Sequence, residues 1–295
     1  AFITSFLLTM GIARPLRRLS LAADRIRAGS SDGIDIPALT NRKDEIGNLA
    51  ASMQSMTEAL LERIQANEQF AADVAHELKN PLTSIRSAVE TAERVQDPDA
   101  RERLRLVIAS DVKRLDRLIT DISNASRLEA EMTRVPNEQM DIARFVKDVI
   151  STYDATMDAE GAVAVQFKDA TMGARLLVRG REGPLGQVIR NLVDNARSFS
   201  PPSGTVHVTL DQSNDGPQTI ARILVEDSGP GIPDDKLDKI FSRFYTDRPK
   251  GTAFGNNSGL GLSIVKQIVT THRGKVWAEN RAEGGARFVV DLPAI

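Results

Sequence analysis

His76 stands where a side chain could act as nucleophile, base or proton carrier. In the stretch Phe70–Arg86, FAADVAHELKNPLTSIR, residues Ala71, Val74, Leu78, Leu82, Ile85 and Val89 recur at helical spacing and form one apolar stripe. His76 lies about 200° round the axis from both Val74 and Leu78, so its imidazole faces outward. Asn80 one turn on and Thr83 two turns on share that face, and Glu77 is the immediate neighbour, about 100° away. Pro81 removes the helix hydrogen bond to the Glu77 carbonyl at a cost of ~3 kcal/mol, which predicts a kink just beyond the histidine. Any solvated helix can carry such a histidine, so the stretch acquires meaning only beside a second site.

The C-terminal half offers that site. Asn191 and Asn195, in the run Gln187-x-x-x-Asn191-Leu192-Val193-Asp194-Asn195-Ala196, are one helical turn apart, and their neutral oxygens suit Mg²⁺ carried by a triphosphate. A solvated helix could equally carry two asparagines. Asp227 ends a row with Ile223 and Val225 on one face of a predicted strand, and Ser228-Gly229-Pro230-Gly231 follows; Asp before Gly is also an ordinary turn signal. Gly259 and Gly261 flank the start of a predicted helix from Leu260 to Thr271, where backbone amides and the helix dipole would meet phosphate oxygens. No Walker-type run and no dinucleotide glycine fingerprint occurs, so a nucleotide must be held another way. With no cysteine and three histidines in 295 residues, disulfides, thiolate chemistry and zinc are not expected. A net charge of -2 excludes a basic field for nucleic acid, and no direct contact with it is expected.

Helical spacing dominates the first half of the chain. Ala1–Ala13 is apolar, uncharged and too short to span a bilayer, and Arg14, Arg17 and Arg18 follow it directly; the stretch reads as the cytoplasmic end of a transmembrane helix. An amphipathic helix follows from Arg14 to Ala28, then a turn-rich connector from Gly29 to Lys43. A second helix opens at Asp44-Glu45, with Ile46, Leu49, Met53, Met56 and Leu60 on a coiled-coil seam that shifts phase at Ile64. Gln96, Asp97 and Pro98 break the helix of His76. Beyond them Leu104, Ile108, Asp111, Leu115, Leu118, Ile122, Ala125, Glu129 and Met132 make the seam of a second long helix. Two such helices form a hairpin with one apolar stripe left over, so pairing into a dimeric four-helix bundle is expected. After a linker around Pro136, helices near 143–157 and 184–199 alternate with strands near 163–167, 176–178, 206–210, 220–226, 275–279 and 287–292.

His76-Glu77-Leu78-Lys79-Asn80-Pro81-Leu82-Thr83 resembles the H-box of sensor histidine kinases, and the connector with Asp44-Glu45-Ile46-Gly47 resembles a HAMP domain. The asparagine run, Asp227–Gly231, the F-box-like Phe241-Ser242-Arg243-Phe244-Tyr245 and Gly255-Asn256-Asn257-Ser258-Gly259-Leu260-Gly261-Leu262 together resemble the catalytic domain that these kinases share with gyrase, Hsp90 and MutL. The resemblance implies a coiled-coil HAMP relay and an antiparallel hairpin, both all-α, then an α/β sandwich that binds ATP and Mg²⁺. The expected division is 1–13 transmembrane end, 14–66 HAMP relay, 67–134 dimerisation and phosphotransfer, 135–142 linker and 143–295 catalytic domain.

It further implies that His76 accepts the γ-phosphoryl group of ATP and passes it to an aspartate of a response regulator. Glu77 would hold the imidazole tautomer or take its proton, and Asn80 would orient water in phosphatase action. Asn191 and Asn195 would hold Mg²⁺, Asp227 the adenine amine, and Gly229, Gly231, Gly259, Leu260, Gly261 and Leu262 the rest of the nucleotide. Arg243 would reach the γ-phosphate and the F-box rings, Tyr245 included, would anchor a lid at 233–258. Three positions depart from the pattern: Ser198 stands where a basic residue is usual, with Arg197 one step earlier, Phe199 stands where Tyr is common, and Arg273 stands where a second Gly is common. The runs FAADVAHELKNPLTSIRSAVET and FYTDRP…FGNNSGLGLSI are most similar to ChvG/ExoS-type kinases of alphaproteobacteria, which implies a homodimer at the inner membrane with a response regulator as partner. A gyrase- or Hsp90-like ATPase and a degenerate kinase serving as scaffold or phosphatase remain as alternatives; Asn191, lacking the basic oxygen of a glutamate, disfavours the first.

Overall fold

The structure is a computed structural model, and it describes residues 2–3, 6, 9–27, 39, 42–134, 138–154, 162–216, 218–245 and 259–295. The expected connector and the 246–258 end of the lid therefore lie almost wholly outside the described residues, as do residues 135–137 at the start of the linker and part of the 1–13 stretch. The chain falls into two compact units, Ala1–Ala75 and His76–Ile295. No helix among the described residues is long and apolar enough to cross a membrane.

In the first unit a π-helical turn at Thr9–Ala13 leads into α1 (Arg14–Arg27), with Pro15 in its first turn, where a missing N–H costs nothing. A small core of Leu19, Leu39 and Ala50 gathers Ala22, Ile46 and Met53 around it. Helix α2 (Glu45–Arg94) starts as expected: the Asp44 carboxylate accepts from the Gly47 amide (3.0 Å) and pairs with Arg42, which also donates to the Gly11 carbonyl (3.1 Å). Of the predicted seam, Leu49, Met56 and Leu60 stay exposed within one chain.

Helix α2 runs unbroken through Pro81 and ends at Arg94; Asp97 then opens α3 (Pro98–Arg134), accepting from the Asp99 amide (3.1 Å). Leu118 and Ala88 of the hairpin helices are buried, whereas Leu82, Val89, Leu106, Val107, Val112 and Ile119 remain exposed. That is the unpaired apolar surface expected of half a four-helix bundle.

The remainder is an α/β sandwich: β1 (Glu138–Asp141), α4 (Ile142–Asp154), β2 (Ala164–Asp169), β3 (Leu177–Gly180), α5 (Glu182–Phe199), β4 (Thr205–Asp215), β5 (Gln218–Glu226), α6 (Gly261–Thr271), β6 (Lys275–Asn280) and β7 (Ala286–Pro293). The main sheet has the order β2-β4-β5-β7-β6, parallel only at β2–β4. Alternation does what the sequence predicts: Val206, Val208 and Leu210 of β4 and Ile223 and Val225 of β5 are buried beneath the helices. Elsewhere on the sheet Arg222 forks onto Asp291 with two 2.7 Å bonds and lies over the Trp277 ring, and Arg287 joins Glu226 to Glu279. Residues 138–141, expected in the linker, form β1, paired with β3. Four residues with only Met140 buried carry too little alternation to read as a strand.

His272 caps α6 from inside the core. Its Nδ1–H donates to the Ile268 carbonyl (2.8 Å), while Nε2 is buried with no hydrogen-bond partner among the described residues. Burial, with a smaller push from Arg181, lowers its pKa below the ordinary histidine value against the pull of that carbonyl. The unfolded chain therefore takes up this proton at a higher pH than the folded one. Stability is full above ~6.5 and is lost as the pH falls through the window beneath it. Melting temperature should drop between pH 7 and pH 5.5, and His272→Asn should flatten that slope; an unchanged slope in thermal melts would argue that His272 does not set it.

Candidate active site

A cavity of about 460 Å³ opens at the edge of the sandwich, within the range of small-molecule sites. Its walls come from α5 (Asn191, Asp194, Asn195, Phe199), from the strand ends (Asp227, Ala286, Phe288), from the start of α6 (Gly259, Gly261, Leu262) and from the turns at 230–245 (Gly231, Ile232, Lys236, Tyr245). Two further residues, Arg117 and Asp121, come from α3 of the hairpin.

Asp227 is the buried anion of this cavity, 2% exposed at the end of β5. Its Oδ1 accepts from the Gly229 amide (2.9 Å) and the Ala286 amide (3.0 Å). No hydrogen bond to Oδ2 is found among the described residues, which leaves an acceptor for a ligand N–H. Burial raises the carboxyl pKa, and the two amides and Arg281 pull it back down.

On α5 the two asparagines face the cavity together. Asn191 Nδ2 donates to the Gly261 carbonyl (3.0 Å), which ties α5 to the start of α6 and leaves the amide oxygen for a ligand. The departures at 197 and 198 have a structural counterpart: the Ser198 hydroxyl donates back to the Asn195 carbonyl (2.7 Å), and the Arg197 guanidinium lies over the Tyr153 ring at 5.4 Å. The Tyr153 hydroxyl in turn donates to Asp194 (3.0 Å), and its pKa is raised by burial and by that carboxylate. Arg197 is thus committed to α4 and is not part of the cavity wall.

The first turn of α6 has no side-chain cap among the described residues, and Gly261 and Leu262 at its start line the cavity, where the helix dipole favours an anion. Gly259, at φ +74°, backs onto Phe244; a Cβ there would stand 2.7 Å from the Phe244 carbonyl carbon. Phe241, another ring of the F-box-like run, packs edge-on against Phe288.

The structure gathers Asn191, Asn195, Asp227, Gly231, Tyr245, Gly259, Gly261 and Leu262 of the expected residues round one space. It does not bring others there. Gly229 supports Asp227 from behind, Leu260 is buried, and Arg243 lines a separate shallow groove with Ser263 and Lys266. His76 and Asn80 are exposed on α2 away from the cavity wall, and Glu77 turns across the hairpin to Arg114 (3.0 Å). Lys236, Arg117 and Asp121 lay beyond sequence reasoning: no motif surrounds them, and only the packing of α3 against α6 brings the last two to the cavity.

The residues present suit a magnesium nucleotide. A buried carboxylate with a spare oxygen, two amide oxygens and a helix N-terminus within one cavity are the donor and acceptor set such a ligand needs.

Residues 180–295 match the family of histidine kinase-, DNA gyrase B- and HSP90-like ATPases, residues 66–131 the His Kinase A (phospho-acceptor) domain and residues 7–62 the HAMP domain. Sensor protein ChvG of Rhizobium meliloti is 47% identical over 302 residues, covering 99% of this chain and 52% of that protein. ChvG of Agrobacterium fabrum is 46% identical over 301 residues, covering 99% of this chain and 50% of that protein. The chain thus spans about half the length of the relatives it matches. A crystal structure of histidine kinase ThkA in complex with response regulator protein TrrA superposes with a TM-score of 0.59 at 29% identity, covering 79% of this chain and 64% of that one. Because the likeness runs the length of the chain and is not confined to the nucleotide fold that gyrase and Hsp90 share, the chain belongs to the sensor histidine kinase family.

Proposed function

We propose that this chain performs ATP-dependent autophosphorylation of His76 and passes the phosphoryl group to an aspartate of a response regulator. The observation that carries the reading is the convergence of Asp227, Asn191, Asn195 and the α6 N-terminus on one cavity in a chain that also exposes His76 on a helical hairpin. Asp227 Oδ2 accepts the adenine amine, and the amides at the start of α6 meet the phosphates. Asn191 and Asn195 hold Mg²⁺, which offsets charge on the phosphoryl oxygens when bound. The neutral imidazole attacks the γ-phosphorus in line as the bond to the ADP oxygen breaks.

Glu77 accepts the imidazole N–H or its proton through the oxygen that Arg114 does not hold. Since His76 stands off the cavity, transfer requires the catalytic domain to move along the hairpin or to serve the histidine of a second copy. The exposed apolar face of α2 and α3 is suited to a second copy, making the working unit a homodimer. Asn80, exposed one turn below His76, orients water for dephosphorylation of the regulator. Arg14, Arg17 and Arg18 beside the apolar 1–13 stretch support a position for this region on the cytoplasmic side of the inner membrane.

Incubation with γ-labelled ATP and Mg²⁺ should give an acid-labile, alkali-stable label on the chain that His76→Ala abolishes. A label surviving that substitution would falsify the assignment, and rapid steady phosphate release without label would favour the gyrase-like ATPase.

A further inference from the structure

We propose that Arg117 of the hairpin helix α3 is a ligand of the nucleotide's phosphates, so that the phosphoacceptor hairpin itself completes the ATP site. This rests on the reading of the cavity as a nucleotide site. The cavity wall carries three carboxylates, Asp121, Asp194 and Asp227, and a polyphosphate brings further negative charge into the same space. Cations must offset it. Those that the α5 sequence promises are turned away: Arg197 is stacked on Tyr153, and position 198 is a serine whose hydroxyl is bonded to its own helix. Arg243 faces the separate groove beside Lys266. Among the described residues the wall's cations are Lys236 and Arg117, and they stand on different elements.

Position separates these two. Lys236 belongs to the short turn after Pro233, outside the hairpin. Arg117 arrives with α3, which packs against α6, the helix whose N-terminal amides are the cavity's other anion-binding feature. A guanidinium fork at that place matches phosphate oxygens better than a lysine would. Asp121, one turn along α3, sets a carboxylate on the same wall, so the charge of Arg117 decides whether this wall attracts or repels a polyphosphate.

The consequence is a coupling: nucleotide bound with its phosphates intact holds the catalytic domain against α3, and nucleotide stripped of phosphate does not. The test uses the whole 295-residue chain and two probes, a non-hydrolysable ATP analogue with Mg²⁺ and adenosine. Arg117→Ala should weaken the analogue about tenfold, the usual scale of a charge-assisted hydrogen bond, and leave adenosine unchanged. Arg117→Lys should restore part of the loss, and Arg117→Glu should exceed the alanine effect. Helicity by circular dichroism reports whether each variant keeps the hairpin. Equal weakening of both probes, or of neither, overturns the inference while leaving the nucleotide site in place. Failure of the unsubstituted chain to bind the analogue overturns both readings.

Discussion

Asp227→Asn is expected to lower ATP affinity at least about a hundredfold, and to abolish the His76 label at micromolar ATP, in a chain that melts no lower than the original. The two halves of this result have separate causes. Asn Oδ1 can still accept from the amides of Gly229 and Ala286, so the local backbone keeps its partners. The other position changes from an acceptor to an N–H₂ donor, and under the proposed adenine contact it would face the amine with a like group; a lost charged acceptor and an unpaired buried donor together exceed about 3 kcal/mol.

Stability moves the other way. Burial raises the Asp227 pKa, so the folded chain keeps this proton to a higher pH than the unfolded one. The charge opposes folding; the penalty is absent below the ordinary carboxylate range, grows as the pH rises through the gap, and is complete above the raised value. A neutral asparagine removes it. Thermal melts at pH 7 and pH 4 should therefore show the variant level with or above the original at pH 7, with the difference closing at pH 4. A lower melting point at pH 7 would mean that Asp227 is structural first.

Gly285→Ala should be the most damaging single methyl in the catalytic domain. Gly285 sits at φ +87°, where an alanine costs about 1–2 kcal/mol before any contact is considered. Its added carbon would also stand 2.1 Å from the Asp227 carbonyl oxygen and 2.9 Å from its carbon, atoms fixed by the β5–β7 pairing. Either the turn between β6 and β7 shifts or Asp227 does, and in both cases Asp227 loses its setting. We expect a loss of about 3 kcal/mol or more, a fall of roughly 6–12 °C in melting temperature, together with loss of nucleotide binding. Gly284 is the internal control: φ is similarly positive, +92°, but its Cβ would meet nothing within 4 Å. Gly284→Ala should cost only the backbone term, and equal losses at both positions would refute the steric account.

Spacing set which side chains share a face, and the resemblance to the kinase catalytic domain joined them into one cavity. Asn191 and Asn195 share a helix face because they are four apart, and Asp227 faces the core because it is in step with Val225; such relations are local and survive any packing. The α/β order and nearly every strand followed from alternation for the same reason. What could not be read is set by tertiary contacts. Arg117 and Asn191 stand 74 positions apart and meet only through the docking of α3 on α6. Arg197 neighbours Asn195, yet the Tyr153 ring decides its direction. Arg243 lies within the F-box-like run Phe241–Tyr245, but it lines the groove behind α6. Strand β1 fell below the length at which period two is visible.

The Glu77–Arg114 pair bears on control as well as on chemistry. It is the part-buried bond that records the azimuth of α2 against α3, and His76 is the next residue round the same axis. A twist of α2 delivered from upstream swings histidine and carboxylate together, and it cannot go far without parting the pair. Such a pair contributes about 1 kcal/mol, close to the 1.4 kcal/mol that shifts a two-state population tenfold. The hairpin thus holds a detent shallow enough for a modest torque to release and deep enough to keep the resting orientation populated without one.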